Sequence, residues 1–283
     1  MIQIACVKWG TRYSAGEVNF MFDSIRKYAT EEVRFCCITD DVDGQFDPQI
    51  RIERFPDFPQ PMNVMTDGCV AKLAIYQKGL FEPGVPVIFF DLDTMIRGDV
   101  ARLAKVVRKR RGINMMPNHH IQFWKIQNYV RPILRGKYYF ANSSLMGFFP
   151  EDAWFVYDEM MRIYAEPMEV RPKKYASDER FVSSQATHLV KVFPDTLAVK
   201  FADEFIFTRW TFLEKLRNHV PWVARRRKGL VAVTFVSDSL KPQKVAALKK
   251  DDIVYYKDRP HVWRELEYSD YWRQALERGN AGA

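Results

Sequence analysis

The sequence predicts an α/β fold: a Rossmann-like mixed sheet with helices on both faces. Three observations predict it. The first hundred residues alternate short apolar runs with stretches of helical spacing, the rhythm of βαβ units in a doubly wound sheet. The run Val85 to Phe90 is apolar on both faces, as in a central parallel strand covered by helices. The chain has 283 residues and is 47% hydrophobic, which suffices for a large core and excludes a disordered, collagen-like or disulfide-stapled protein.

Ile2 to Val7 reads as the first strand, broken by Lys8-Trp9-Gly10-Thr11. Val18 to Tyr28 follows with apolar Val18, Met21, Phe22 and Ile25 at helical spacing. Val33 to Thr39 is the second strand and runs into the acidic turn Asp40-Asp41-Val42-Asp43-Gly44; Ile50 to Ile52 is a third. Pro56, Pro59 and Pro61 mark a loop. Cys69 to Leu80 reads as a helix stopped by Pro83-Gly84, Asp99 as the cap of a helix through Val107, and Ile113 to Met116 as a further strand. Tyr138 to Phe149 reads as strand, polar turn, strand. Asp152 to Tyr164 is an amphipathic helix, and Ser177-Asp178-Glu179 opens another to about Thr187. Leu230 to Val236 is a late strand and Val262 to Leu276 a terminal helix with a loose Gly-Asn-Ala-Gly-Ala tail. No linker divides the chain, so one domain is expected over residues 1–283.

Lys and Arg total 43 against 35 Asp and Glu, a net charge of +8 that favours an anionic partner: nucleotide phosphate, acidic glycan, membrane surface or nucleic acid. Nucleic acid is disfavoured, because no helix-turn-helix, zinc-finger spacing or aromatic RNA platform is present. Cys6, Cys36, Cys37 and Cys69 form no C-x-x-C pair and read as free, mostly buried thiols of a reducing cytoplasm. No apolar stretch reaches the ~18–20 residues of a membrane span. The expected place is the cytoplasm; Arg108-Lys109-Arg110-Arg111 and Arg225-Arg226-Arg227-Lys228 read either as solvated surface or as contacts for anionic lipid at the inner face of the membrane or for an acidic glycan acceptor.

The chemistry points to Asp91-Leu92-Asp93. Residues two apart on a strand share a face, so Asp91 and Asp93 point together at the end of the strongest strand. Two carboxylates so placed repel unless a cation sits between them, and hard oxygen ligands suit Mg²⁺ or Mn²⁺, which also bind substrate phosphates. The plain alternative is a solvated acidic turn paired with Arg97.

VPVIFFDLDTMIRGDVARL resembles the metal-binding D-x-D segment of GT-A glycosyltransferases, specifically the glycogenin and lipopolysaccharide-galactosyltransferase type (family 8) and its uncharacterised bacterial relatives. Further segments match in order: IACVKWGTRYSAGEVNFMFDSIRKY, RFCCITDDVDG, GCVAKLAIYQKGLF, YYFANSSLMGFF, SDERFVSSQ and FVSDSLKPQ. The resemblance spans most of residues 1–245. It implies a nucleotide-binding half (1–116), a sugar and acceptor half (117–245) and a C-terminal helical segment (246–283). It implies a glycosyltransferase that uses a nucleoside-diphosphate sugar, with UDP the expected nucleotide, and Mn²⁺ or Mg²⁺. The acceptor is a glycan or lipid-linked glycan, and anomeric configuration is retained.

Carried over by position, Asp91 and Asp93 match the metal ligands. Lys8, Trp9, Gly10 and Tyr13 match the nucleotide loop, Asp40 lies near the base, and Lys72 reaches toward phosphate or sugar. Asn142, Ser143 and Ser144 match the donor-sugar segment. Asp178 matches the carboxylate that holds sugar hydroxyls, Glu179 stands where the family has Gln, and Lys241 matches the Lys that neutralises the leaving diphosphate. The family's late His is missing, and Asp238 or water takes its place as third metal ligand.

Two other readings compete. A strand ending in D-x-D also opens HAD-type phosphatases, although Met95 stands where that motif wants Thr or Val. A degenerate transferase that binds nucleotide-sugar or glycan without turnover would also lack the late His. Of the remaining features, His119-His120 reads as a solvated pair or an acceptor-side contact and His188 as structural. Trp9 is the tryptophan expected near nucleotide; Trp124, Trp154, Trp210, Trp222, Trp263 and Trp272 read as packing or acceptor-cleft residues.

Overall fold

The structure is a computed structural model and describes residues 1–117, 141–167, 172, 175–206, 208–235 and 237–281. His119-His120, Trp124, Tyr138 and Val236 lie outside the described residues. Among the described residues seven strands form the main sheet: β1 (Ile2–Lys8), β2 (Val33–Thr39), β3 (Ile50–Arg54), β4 (Val87–Phe90), β6 (Ile113–Pro117), β7 (Ala141–Phe148) and β8 (Val190–Val192), in the order β3-β2-β1-β4-β7-β6-β8. The first four in that order are parallel, and β7 runs antiparallel to both β4 and β6. Phe89 therefore has a parallel neighbour, Ala5, on one side and an antiparallel one, Met146, on the other. A smaller sheet of β5 (Thr94–Ile96), β10 (Ala232–Thr234) and β9 (Ala198–Lys200) stands beside it, and β11 (Ile253–Tyr256) and β12 (Arg259–Val262) form a hairpin absent from the sequence reading.

The doubly apolar pattern of β4 has its expected cause. Val87 and Phe89 pack into one buried cluster, Ile88 and Phe90 into another on the opposite face. Cys36 and Cys37 divide between the same two clusters, and the four cysteines are free. A third cluster is aromatic: Phe201 lies 4.9 Å from Phe235 and 5.2 Å from Trp263 between ring centroids. Among the described residues no helix is long and apolar enough to cross a membrane.

Several elements differ from expectation for identifiable reasons. Helix α1 (Ala15–Tyr28) starts earlier than its apolar spacing indicates, because Ser14 and Glu17 close a reciprocal capping box. A short helix, α2 (Met62–Thr66), precedes the expected helix Cys69 to Leu80, which is a 3₁₀ segment over Asp67–Tyr76. Gly68 and Cys69 both take positive φ (61° and 60°), and a Cβ on Gly68 would lie 2.0 Å from the Ala176 carbonyl oxygen. Helix α3 (Ala101–Lys109) has Val100 at its N-cap, one residue later than read, while Asp99 Oδ1 accepts the Ala101 amide at 2.9 Å. The polar turn expected within Tyr138 to Phe149 does not exist in the described part: β7 is one continuous buried strand through Asn142, Ser143 and Ser144. Helices α4 (Pro150–Tyr164) and α5 (Asp178–Gln185) follow, the latter capped by Ser177.

The C-terminal helix runs over Leu266–Ala281, so Gly279 and Asn280 are helical and not a loose tail. It packs on α1 at backbone range. A Cβ on Gly16 would lie 2.4 Å from the Arg278 carbonyl oxygen, and one on Gly279 would lie 2.7 Å from Ser14 Oγ.

Candidate functional site

A cavity of about 690 Å³ opens at the carboxyl ends of β1 and β4, where an open α/β sheet places its ligands. Trp9, Arg12, Tyr13, Lys72, Asp91, Asp93 and Lys241 are among its walls. Asp91-Leu92-Asp93 is a turn between β4 and β5 and not the last residues of the strand, with the Thr94 amide donating to the Asp91 carbonyl at 3.1 Å. Both carboxylates still reach the cavity, while Leu92 is buried in the core. The alternative pairing with Arg97 is not formed; Arg97 binds Glu267 at 3.0 Å.

Each carboxylate has its own lysine. Lys72, on the 3₁₀ segment, is buried, with Nζ 2.9 Å from Asp91 and 3.0 Å from Asp178. It also donates to Ser143 Oγ at 3.3 Å, and that hydroxyl donates to Asp178 Oδ2 at 2.6 Å. Burial alone would favour the neutral amine. The Asp178 and Asp91 charges reverse this and hold the ammonium well above its usual range. Lys241 lies 3.0 Å from Asp93 Oδ2. The other oxygen, Asp93 Oδ1, is buried with no hydrogen-bond partner. Burial raises the Asp93 carboxyl, the Asp91 charge adds to it, and Lys241 opposes both.

Asn142 donates to Glu179 Oε1, and the Ser144 amide donates to Asn142 Oδ1 at 3.1 Å. The polar triplet thus sits inside a strand because Asn142 and Ser143 find polar partners on the 3₁₀ segment and α5, and the Ser144 amide turns back to Asn142. Burial, then the Asp178 charge, lifts Glu179 to about 7. Tyr13 is also raised by burial and by Asp93 and Asp91.

Two expected donor contacts face elsewhere. Lys8 is on the opposite face of β1 from Val7 and Trp9; its ammonium is buried 2.8 Å from Asp41 and it does not line the cavity. Asp40 accepts the Gly10 amide at 3.0 Å, holding the loop at φ +58° from behind. Both shape the Gly10 loop from outside the cavity. Asp238 is exposed and also lies outside it, since the turn Asp238–Leu240 buries Leu240 and turns the carboxylate outward. Among the described residues no three His, Cys, Asp or Glu side chains assemble as a metal site.

The sequence reading missed Arg12, on the cavity wall, and Lys200, the last residue of β9. Lys200 is buried, which lowers its pKa, while Glu179, Asp203, Asp93 and Asp91 raise it. A lysine closing the apolar run Leu197-Ala198-Val199 was the signal available. Asp203, just beyond, is raised to about 6 by burial against the Lys200 charge.

No protein-family model matches the chain, and no curated protein matches it by sequence. Solved structures do match. The galactosyltransferase LgtC in complex with donor and acceptor sugar analogues aligns with TM-score 0.54 and 12% identity, over 100% of this chain and 96% of LgtC. An active-site glutamine-to-glutamate mutant of LgtC aligns at 0.56 and 13%, over 97% of this chain and 100% of the mutant. The glycosyltransferase GlyE of Streptococcus pneumoniae TIGR4 aligns at 0.53 and 10%, over 99% of this chain and 63% of GlyE. The chain has the GT-A glycosyltransferase fold.

Proposed function

We propose that this protein is a glycosyltransferase. It moves a sugar from a UDP-sugar to a glycan or lipid-linked acceptor, with Mn²⁺ or Mg²⁺ and with retention of configuration. The observation that carries the reading is the meeting of Asp91, Asp93 and Lys241 in one cavity at the strand ends of a GT-A fold. The partnerless Asp93 Oδ1 and the two adjoining carboxylates suit a hard divalent cation, which would take its remaining ligands from diphosphate and water. When bound, such a cation offsets the negative charge of the diphosphate.

The chain's own groups supply the rest. Trp9, Gly10 and Tyr13 form the wall against which the nucleotide lies. Lys72 bridges Asp91 and Asp178 and holds both in place. Asn142, Asp178 and Glu179 lie behind the cavity wall, joined to it through Lys72, and are the polar groups that would receive sugar hydroxyls. Lys241 stands at the rim, its side chain 24% exposed, and can leave Asp93 for the diphosphate as the sugar–oxygen bond breaks. Retention and the UDP assignment rest on the likeness to the family 8 type. None of the matching structures named above is a phosphatase.

Melting curves with UDP and UDP-sugars, with and without Mn²⁺, test the assignment, because a ligand that binds only the folded state raises the melting temperature. Mn²⁺-dependent stabilisation by UDP is expected and should vanish in Asp93→Ala. Equal binding of UDP to both proteins in Mn²⁺ would overturn it. Release of UDP in the presence of an acceptor extract separates a working transferase from a binding-only protein.

A further inference from the structure

Helices α7 (Thr211–Asn218) and α8 (Pro221–Lys228), which follow the short helix α6 (Phe201–Phe205), have their amphipathicity inverted. Four of their seven charged side chains point inward. Glu214 is buried 3.2 Å from His261 Nδ1. Arg217, Arg226 and Arg227 converge on the buried Glu204, with Arg227 Nε 2.8 Å from Glu204 Oε1. Their large apolar side chains point outward: Trp210 58% exposed, Phe212 56%, Leu216 63% and Trp222 65%, with Leu213 beside them. Five of the nine exposed large hydrophobic side chains among the described residues fall in these thirteen positions, so the patch is local and not the scatter found on any surface.

The charge around the patch has one sign. Glu214 is the only acidic residue in 208–228, and it is buried. Arg209, Lys215, Arg225 and Lys228 are exposed. The other basic run differs: Arg108 is bound to Glu31 and Arg111 to Glu151 and Asp152.

We propose that this hairpin docks the protein on an anionic lipid bilayer. Its aromatic and leucine side chains enter the headgroup boundary, and the four exposed cations meet lipid phosphates. A second copy of the chain fits the patch poorly, since a two-fold contact would set these cations against their own like charges. Both roots of the hairpin are tied to the cavity. On one side β9 ends at Lys200; on the other, Thr234 of β10 lies 3.2 Å from Thr94, next to Asp93. The surface would therefore fix the cavity relative to the membrane. The inference stands apart from the glycosyltransferase reading.

Sedimentation with vesicles of equal parts phosphatidylglycerol and phosphatidylcholine tests it. Binding is expected at low salt, falling as salt rises, and weak to phosphatidylcholine alone. The variant Arg209→Ser, Lys215→Ser, Arg225→Ser, Lys228→Ser should bind on the order of 100-fold more weakly. The variant Trp210→Ser, Leu216→Ser, Trp222→Ser should lose binding by at least about tenfold with its melting temperature unchanged. Brominated lipid should quench tryptophan fluorescence in the unmodified protein. Absence of vesicle binding, absence of quenching, or variants that bind like the parent would overturn the proposal. So would a concentration-dependent dimer that the apolar variant dissolves.

Discussion

Lys241 Nζ sits 3.0 Å from Asp93 Oδ2, a contact across 148 residues that places a half-buried cation on one carboxylate of the pair. Its place at the rim makes a kinetic prediction. Lys241→Ala should lower kcat on the order of 100-fold while changing the donor KM far less, because the charge is needed most as the leaving diphosphate forms. Steady-state kinetics with varied donor decides it. Weaker donor binding with unchanged turnover would contradict the role.

Lys72 makes a different contribution. It is enclosed by Asp91, Asp178 and Ser143, so Lys72→Met leaves two carboxylates without their counter-ion. Breaking a buried pair from one side costs about 3–5 kcal/mol. Urea unfolding should show a loss of that size. A loss no larger than that of a surface substitution would mean that the carboxylates are solvated.

Glu179 predicts a pH slope. Its folded pKa, about 7, lies above the ordinary 4.5, so the folded state holds the proton more tightly. Stability from this group is greatest below pH 4.5 and is lost as pH rises through 7, by on the order of 3 kcal/mol. Glu179→Gln should remove the slope and stabilise the protein at pH 8 but not at pH 4. Melting temperatures across that range would show it, and parallel curves for the two proteins would refute it.

His261 acts with the opposite charge. Burial alone would depress its pKa. Glu214 and Glu265, at 3.2 and 3.0 Å, outweigh burial and lift it to about 9 from 6.5. The stabilisation is complete below pH 6.5 and is lost as pH climbs through 9, on the order of 3 kcal/mol. His261→Phe should flatten the alkaline limb of the stability curve. Because Glu214 belongs to α7, hydrogen exchange in α7 should rise with it; unchanged protection there would place the cluster's effect elsewhere.

What could be read from the sequence was what depends on neighbours along the chain. The apolar run of β4 announces a strand covered on both faces, and Asp91 and Asp93 end it whatever surrounds them. Asn142, Ser143 and Ser144 looked like a turn because three polar residues interrupt an apolar run. The partners of Asn142 and Ser143 lie 35 to 71 residues away in Asp178, Glu179 and Lys72, so nothing local reveals a strand. Lys8 was assigned by its place in the matched loop, and the face of β1 that holds the cavity is set by Lys72, Asp91 and Lys241, far along the chain. Asp238 was chosen by its position in a motif, and a single turn, with Ser237 at φ +89°, directs it outward.

The touch between Gly16 and the backbone at Arg278 and Gly279 bears on how the molecule is made. Ser14 and Glu17, which start α1 directly after the Gly10–Tyr13 wall of the cavity, rest against residues that a ribosome adds more than 260 positions later. Domains generally begin to fold from the N-terminus during synthesis. This corner cannot finish that way. The first βα unit waits, its helix start uncovered, until Leu266–Ala281 has emerged, so the cavity is among the last parts of the newborn chain to take shape.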